Sequence, residues 1–580
     1  MAQRPVVPRL DTVRVVARTT PAAEATRTLE VITRDDLARR AGRSLAELLA
    51  QSPGLDAQVR SPAQSDLSIR GSSFNQVVVL VDGIRVSDVQ SGHYALDLVV
   101  PAAMIERIEI LRGGASSLYG SDAAGGIINI VTRSDRPAGS AALRGGSWGG
   151  VGGGVSTSAG SDARQVRVAA DADRSDGHRP GTDYRVVQAR ASAEQRTRVG
   201  RVVADVAQGV RRFGAADFYS PYPSDETTRT TTAAVRVVPE DAARVTVGGT
   251  AHLRRHTDLF TLKRDDPAFY QNQHTSRESG ADIVARAALT ERISVAGGID
   301  VLDARLRSAR LGDHAQVRQG TFAQATIGAA SALVLDLGLR RDHLSDEGLF
   351  VSPSVGVSVP VRATRLRASL NRGFRAPTWT ERFYRDPANI ADSTLAVETF
   401  VAREVGLRAP LGAHVAADVA LYERRAEDLI DWAKPAGAPP GTPWRTMNFT
   451  TARYRGAEAS LNAPALLGAD WTLRAAGLRF DASAAPGLVG KYALRPLTRT
   501  IALASAMHLS HDGTLTVDAR HARRAGETGF LHVNARLNAP VGGTVASLEL
   551  INLTGANYLD GAGKSVAGRS AFVGLAWSIP

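Results

Sequence analysis

The stretch Ser65–Arg133 decides how the chain is read. It contains SDLSIRGSSFNQVVVLVDGIRV (Ser65–Val86) and IERIEILRGGASSLYGSDAAGGIINIVTR (Ile105–Arg133). Val77–Val81 is an apolar run of the length of one buried strand, and Asp82-Gly83 directly after it is a turn signal. Ile105, Ile108, Ile110 and Leu111, interleaved with Glu and Arg, predict a second, half-buried strand. Ile127, Ile128, Ile130 and Val131 predict a third, closed by polar residues. Gly113, Gly114, Gly120, Gly125 and Gly126 fall between them, where backbone bends tightly or meets another surface. The segment reads as a small mixed α/β domain with short strands and glycine-rich loops.

Four motifs in this stretch, Ile69-Arg70-Gly71, VLVDGIRV (Val79–Val86), IERIEILRG (Ile105–Gly113) and the YGSDAAGGIINIVTR run, resemble the plug of TonB-dependent outer-membrane receptors. YGSDAAGG looks most like the cobalamin-carrying branch, and siderophore receptors share most of that run. The resemblance implies an N-terminal α/β plug inside the lumen of a transmembrane antiparallel β-barrel of 22 strands, and import of a scarce ligand driven by TonB and an inner-membrane proton gradient.

Composition agrees with that expectation. At 580 residues the chain exceeds one ordinary domain. The absence of cysteine excludes disulfides and thiolate metal sites. No run of about 18 apolar residues occurs, which excludes a transmembrane helix but not a barrel, whose strands span with about 9–11 alternating residues. The net charge of +12 is mostly arginine, dispersed along strand-like segments among acidic residues, so it reads as lumen and loop charge rather than a nucleic-acid surface. The twelve histidines are scattered with no HExxH spacing, and neither a nucleophile elbow nor a phosphate loop is present. The chain reads as a non-enzyme. No apolar segment follows Met1-Ala2-Gln3, so the expectation is a secretory signal absent from this chain and an outer-membrane location.

Taken in order, residues 1–20 form an N-terminal segment, 21–135 the plug and 136–580 the barrel. Asp11, Thr12, Val13, Arg14, Val15, Val16 and Ala17 are a short β-prone run that resembles the TonB box; such a strand adds to a partner's sheet edge through main-chain hydrogen bonds. Thr33–Gln51 predicts one helix, started by Thr33 with Asp36 and stopped by Pro53-Gly54. From Ser140 onward, period-two alternation gives 22 candidate strands, the last at about Gly568–Pro580. Short turns such as Ser161-Asp162 and Pro540–Gly543 alternate with long ones at Asp173–Arg185, Arg211–Arg229, His256–Ser276, Phe374–Phe400, Arg425–Thr450 and Thr554–Ala567. With few aromatics, valine, alanine and leucine are left to form most of the lipid face. NRGFRAPTWTERFY (Asn371–Tyr384) resembles the family's motif in a long extracellular loop, and INLTGANYLDGAGKSVAGRSAFVGLAWSIP (Ile551–Pro580) its closing hairpin. Such barrels commonly end in phenylalanine, whereas this chain ends Ile579-Pro580, so the final strand is expected to be read by the assembly machinery from Trp577 or less well.

By the family's layout, outward plug loops lie around Ser61–Gln64 and Asp88–Tyr94. Ser91, His93 and Tyr94 offer hydrogen bonds and an aromatic face to a substrate, with Phe218, Tyr219, Tyr222 and Trp379 contributing from barrel loops. Asp173, Asp176, Asp183, Asp217 and Asp225 crowd two early loops, and calcium needs six to eight oxygen ligands. Cobalamin receptors resemble this arrangement; solvated charges beside Arg174, Arg179 and Arg211 are the plainer reading. The expected partners are TonB, outer-membrane lipid and a corrinoid or ferric siderophore, the chain acting as a monomer with no required cofactor beyond possible loop calcium. A non-transporting surface binding protein on the same scaffold is the alternative of a different class.

Overall fold

The computed structural model describes residues 25–42, 44–135, 139–218, 222–240, 244–328, 332–482, 487–493, 495–560 and 563–579. The TonB-box candidate Asp11–Ala17 and Tyr219 lie outside the described residues.

The N-terminal part contains β1 (Thr28–Thr33), α1 (Arg34–Arg39), α2 (Leu45–Leu49), β2 (Leu55–Ser61), β3 (Gln64–Ile69), β4 (Val77–Val81), β5 (Ile84–Arg85), β6 (Ile105–Arg112), α3 (Ser116–Tyr119) and β7 (Gly126–Thr132). Five strands form a mixed sheet in the order β1-β6-β7-β4-β5, and β2 pairs with β3 apart from it. Only β4 and β7 run parallel. The unbroken apolar run of β4 exists because both faces of this sheet are covered. Val77, Val79 and Val81 join Ile108, Ile110, Ile128 and Ile130 on one side. Val78 and Leu80 join Leu111, Leu118 and Ile127 on the other, where Val284 and Phe322 of the surrounding wall complete the cluster. That second cover makes β6 more buried than expected: of its residues only Glu106 and Arg107 are partly exposed. Asp82 and Gly83 both take positive φ (53° and 84°), which the tight hairpin to β5 requires.

The single helix expected over Thr33–Gln51 is instead two. Thr33 and Asp36 do form the reciprocal capping box of α1. The chain then turns extended at Arg40 (φ −76°, ψ 139°), and Ser44 caps a new start at α2 by accepting from Glu47 N. Gly42 permits the break: a Cβ there would sit 2.9 Å from Leu48 Cδ2.

Among the described residues, 22 wall strands run from Gly139–Gly146 to Ser570–Ile579, and these two pair antiparallel to close the barrel. Its polarity is inverted relative to a water-soluble sheet. Val166, Val168, Val206, Val235, Leu253, Ile283 and Leu339 are exposed, while Arg167, Arg190, Asp205, Arg254 and Asp258 are buried. Hydrophobic side chains outside and charges inside are stable only when the outside is lipid. Valine, leucine and isoleucine form nearly all of the exposed large apolar surface.

The wall strands run further into the long turns than the sequence suggested. Strands end at Ser175, Gly214, Thr261, Arg375 and Pro435, so the true loops are shorter than the polar stretches. The longest strand, Trp444–Leu466, has 23 residues, about twice what a bilayer needs, and the surplus stands above it at the long-loop rim.

Candidate functional site

The inner sheet is held to the wall by buried ion pairs. Arg70, at φ 54° between β3 and Gly71, places its guanidinium between Glu404 Oε2 (2.6 Å) and Glu458 Oε2 (2.7 Å), 4.1 Å over the Tyr422 ring centroid. Arg112 pairs with Glu30, Thr28 donates to Glu404, and Arg367 donates to Thr28 Oγ1 and Asp418. Around the wall, Arg190 and Arg236 meet Asp82, Arg254 meets Asp88 (2.7 Å), and Arg524 meets Asp56 (2.6 Å). Burial alone would raise the carboxyl of Asp88, but Arg254 and the Ser276 hydroxyl bring it below the usual range. Asp97 goes the other way: burial dominates and pushes it up, tempered by Arg211 and Thr228.

At the long-loop rim the helix α4 (Trp379–Phe383) clasps the inner domain. Thr378 and Glu381 cap it reciprocally, Trp379 N and Thr380 N donate to Val89 O and Gln90 O, and Asn75 donates to Glu381. Arg375, fully buried, grips both Glu381 (2.8 Å) and Glu398 (2.7 Å), and Gln76 donates to the same Glu398.

Beside this clasp lies an open surface of aromatic character. His93 stacks on Phe74 with centroids 4.3 Å apart, and Tyr492 stands edge-on to both at 5.1 and 5.5 Å. Asp66 holds His93 Nδ1 at 3.0 Å. Gly92 is required here, since a Cβ would fall 2.1 Å from Asn75 Oδ1. On the wall side, Asp431 accepts from Trp432 N, Tyr492 N and Ala493 N and so fixes the strand ends carrying these rings. Lys491 lies 5.3 Å from the Tyr492 centroid, and Lys434 4.6 Å from that of Trp444. Phe74 and Trp432 are buried; His93, Tyr492, Trp444 and both lysines are half-exposed to the mouth. Planar aromatic faces beside ammonium groups suit a large ring or an anionic complex.

The sequence placed only part of this. His93 is at the surface as expected, and Ser91 caps its one-turn helix rather than facing outward. Tyr94 is a brace: its hydroxyl donates to Asp258 at 2.7 Å and its ring packs on His256. Trp379 is buried among Val89, Ala304, Leu306 and Leu311. Phe218 is buried beside Phe213, and Tyr222 packs on Phe260, Leu262 and Tyr270. Phe74, Trp432, Trp444, Lys491 and Tyr492 were missed. A usable signal was present: the chain has four lysines, and two of them sit within a few residues of these tryptophans and tyrosine.

The five aspartates do not converge. Asp173 lies inside a wall strand, paired with Arg144 and accepting from Tyr184 OH. Asp183 chelates Arg264 (2.6 and 2.8 Å), which holds its carboxyl below the usual range, and Asp225, the first residue of a strand, approaches the same arginine at 3.4 Å. Asp217 pairs with Arg179, and Asp176 packs over Gly149. Among the described residues, no three His, Asp or Glu side chains are grouped to hold a metal ion.

Comparison with known proteins fits this geometry. Over 492 residues the chain is 25% identical to the vitamin B12 transporter BtuB of Vibrio vulnificus, covering 77% of this chain and 75% of that protein. A 108-residue segment is 43% identical to BtuB of Vibrio cholerae, covering 18% and 17%. In structure it is similar to the siderophore receptor PirA of Pseudomonas aeruginosa (TM-score 0.76, 18% identity, 95% and 99% coverage) and to PirA of Acinetobacter baumannii (TM-score 0.78, 15% identity, 97% and 100%). The TonB-dependent receptor plug domain model matches residues 21–127 and the TonB-dependent receptor-like β-barrel model residues 115–563. The chain therefore belongs to the TonB-dependent receptors, outer-membrane transport proteins rather than enzymes.

Proposed function

We propose that this receptor imports cobalamin or a related corrinoid, with the Phe74–His93–Tyr492 surface as its floor. The arginine-rich lumen would be the main objection, because it suits an anionic ferric complex better. The observation that carries the proposal weighs against that objection: the arginines Arg70, Arg254, Arg340, Arg375 and Arg524 are each already paired with buried carboxylates. What remains at the mouth is mainly aromatic. The relatives most similar in sequence are named for vitamin B12 transport, which supports the same reading. Energy enters through Asp11–Ala17, which pairs with TonB as an added strand and transmits a pull to the plug. Loop calcium plays no part in this reading, since four of the five candidate aspartates pair with arginines and the five do not converge.

Calorimetry with purified receptor in detergent tests the ligand. Cyanocobalamin is expected to bind with equal affinity with calcium or with EDTA, and His93→Ala and Tyr492→Ala each to weaken it at least tenfold, about 1.4 kcal/mol. Lys434 and Lys491 support a second reading, a ferric siderophore. Absence of cyanocobalamin binding together with ferric-siderophore binding lost in Lys434→Gln/Lys491→Gln would establish that one instead.

A further inference from the structure

Seven consecutive wall strands between Arg164 and Ser308 carry exposed, outward-pointing arginines near the long-loop end: Arg174, Arg185, Arg212, Arg229, Arg255 and Arg277 singly, and Arg305 with Arg307 on the last strand. Register sets several of them directly opposite one another. Arg174 faces Arg185, which faces Arg212; Arg255 faces Arg277, which faces Arg305. Arg229 lies one step diagonally from Arg255, which is opposite Thr231. At a strand spacing of about 4.8 Å the row spans roughly 29 Å along the wall. Arg305 reaches Asp303; among the described residues the other seven make no ion pair. Like charges opposed across strands destabilise a sheet. Something anionic lying along such a row would relieve that repulsion.

Directly below the row, on the same strands and the same outward face, the wall is hollowed. Alanines at 191, 193, 204, 233, 251 and 281 stand where neighbouring positions carry valine and leucine, and Val166, Val206, Val235, Leu253 and Val301 form the sides of an open groove of about 800 Å³. Leu253 is two residues from Arg255, and Ala281 four from Arg277, so the groove opens at the charged row. It faces the hydrocarbon, away from the lumen.

We propose that this face is a specific site for a phosphate-bearing, multi-chain lipid of the outer leaflet. The arginines take the phosphates as bidentate donors, and the groove takes the acyl chains. The two features are complementary to the two ends of one amphipathic molecule, and neither the plug nor the ligand mouth has a part in it.

The test is native mass spectrometry of the full receptor released from phosphatidylcholine nanodiscs doped with either diphosphoryl lipid A or its dephosphorylated form. The intact receptor is expected to retain the diphosphoryl lipid at least tenfold more than the dephosphorylated one. Arg255→Gln/Arg277→Gln should lose that preference, and Ala233→Leu/Ala251→Leu should lower retention with the arginines intact. Heat-modifiable gel migration verifies that each variant keeps a folded barrel. Equal retention of the two lipids, or retention by either folded variant within twofold of the parent, would overturn the proposal.

Discussion

Glu30 shows how one carboxylate ties three parts of the molecule together. It lies on β1, pairs with Arg112 of β6 and stands 3.6 Å from Arg474 of the wall. Burial would raise its pKa, but Arg112, Arg474 and Arg40 pull it down to about 2 from 4.5. Because the folded value is the lower one, its stabilisation is complete above about pH 4.5 and is lost as pH falls toward 2. The difference amounts to on the order of 3 kcal/mol at neutral pH. Acid unfolding of the plug, followed by protease accessibility, should therefore steepen across this window, and Glu30→Gln should flatten it. An unchanged profile in the variant would refute the assignment. At this scale the sequence was only half legible. Tyr94 and Trp379 have the chemistry of ligand contacts, but whether a tyrosine faces a ligand or an aspartate 164 residues away depends on the closed barrel, not on its neighbours in the chain. The partners of the loop aspartates were hidden for the same reason, since Arg264, which holds Asp183, lies 81 residues on.

The clasp around α4 is the element whose strength is easiest to adjust. Its capping box satisfies backbone donors that would otherwise be orphaned at the helix start, and Thr378→Ala should cost about 1 kcal/mol. The effect should stay local. Hydrogen exchange should quicken at Trp379 N and Thr380 N, which bond Val89 O and Gln90 O, and stay unchanged in β6 and β7. Uniform acceleration throughout the plug would mean that α4 supports the whole domain and not only this loop. Elements were legible where burial was uniform or alternation strict. The run Val77–Val81 became β4 residue for residue, and Thr33 with Asp36 opened a helix. The break after α1 was masked because Leu45, Leu48 and Leu49 keep a helical spacing across it, although Gly42 and the new start at Ser44 with Glu47 mark the interruption. Strand ends were hidden for another reason: above the membrane both faces meet polar surroundings, so alternation fades while the ladder continues.

At the scale of the whole molecule, the pairings between plug and wall decide how transport must work. Arg70, Arg254 and Arg524 each bridge plug and barrel through buried charge, and removing one partner from such a pair typically costs about 3–5 kcal/mol. Opening a path past the plug disrupts several pairs at once, a rearrangement far beyond thermal reach and beyond what ligand binding provides unless the ligand prefers the open form by the same amount. Binding and passage are therefore separable steps, and in the proposed function the second is driven by force applied to the N-terminal segment. Deleting Asp11–Ala17 should leave calorimetric affinity for the ligand unchanged and abolish accumulation in cells that contain TonB. Uptake surviving that deletion would place the point of attachment elsewhere in the chain. Affinity lost with it would mean that the segment supports the mouth instead of receiving the pull. A graded result is also informative: Glu404→Gln, which weakens the hold on Arg70, should lower the force needed, so that a partly impaired TonB box regains uptake in the double variant.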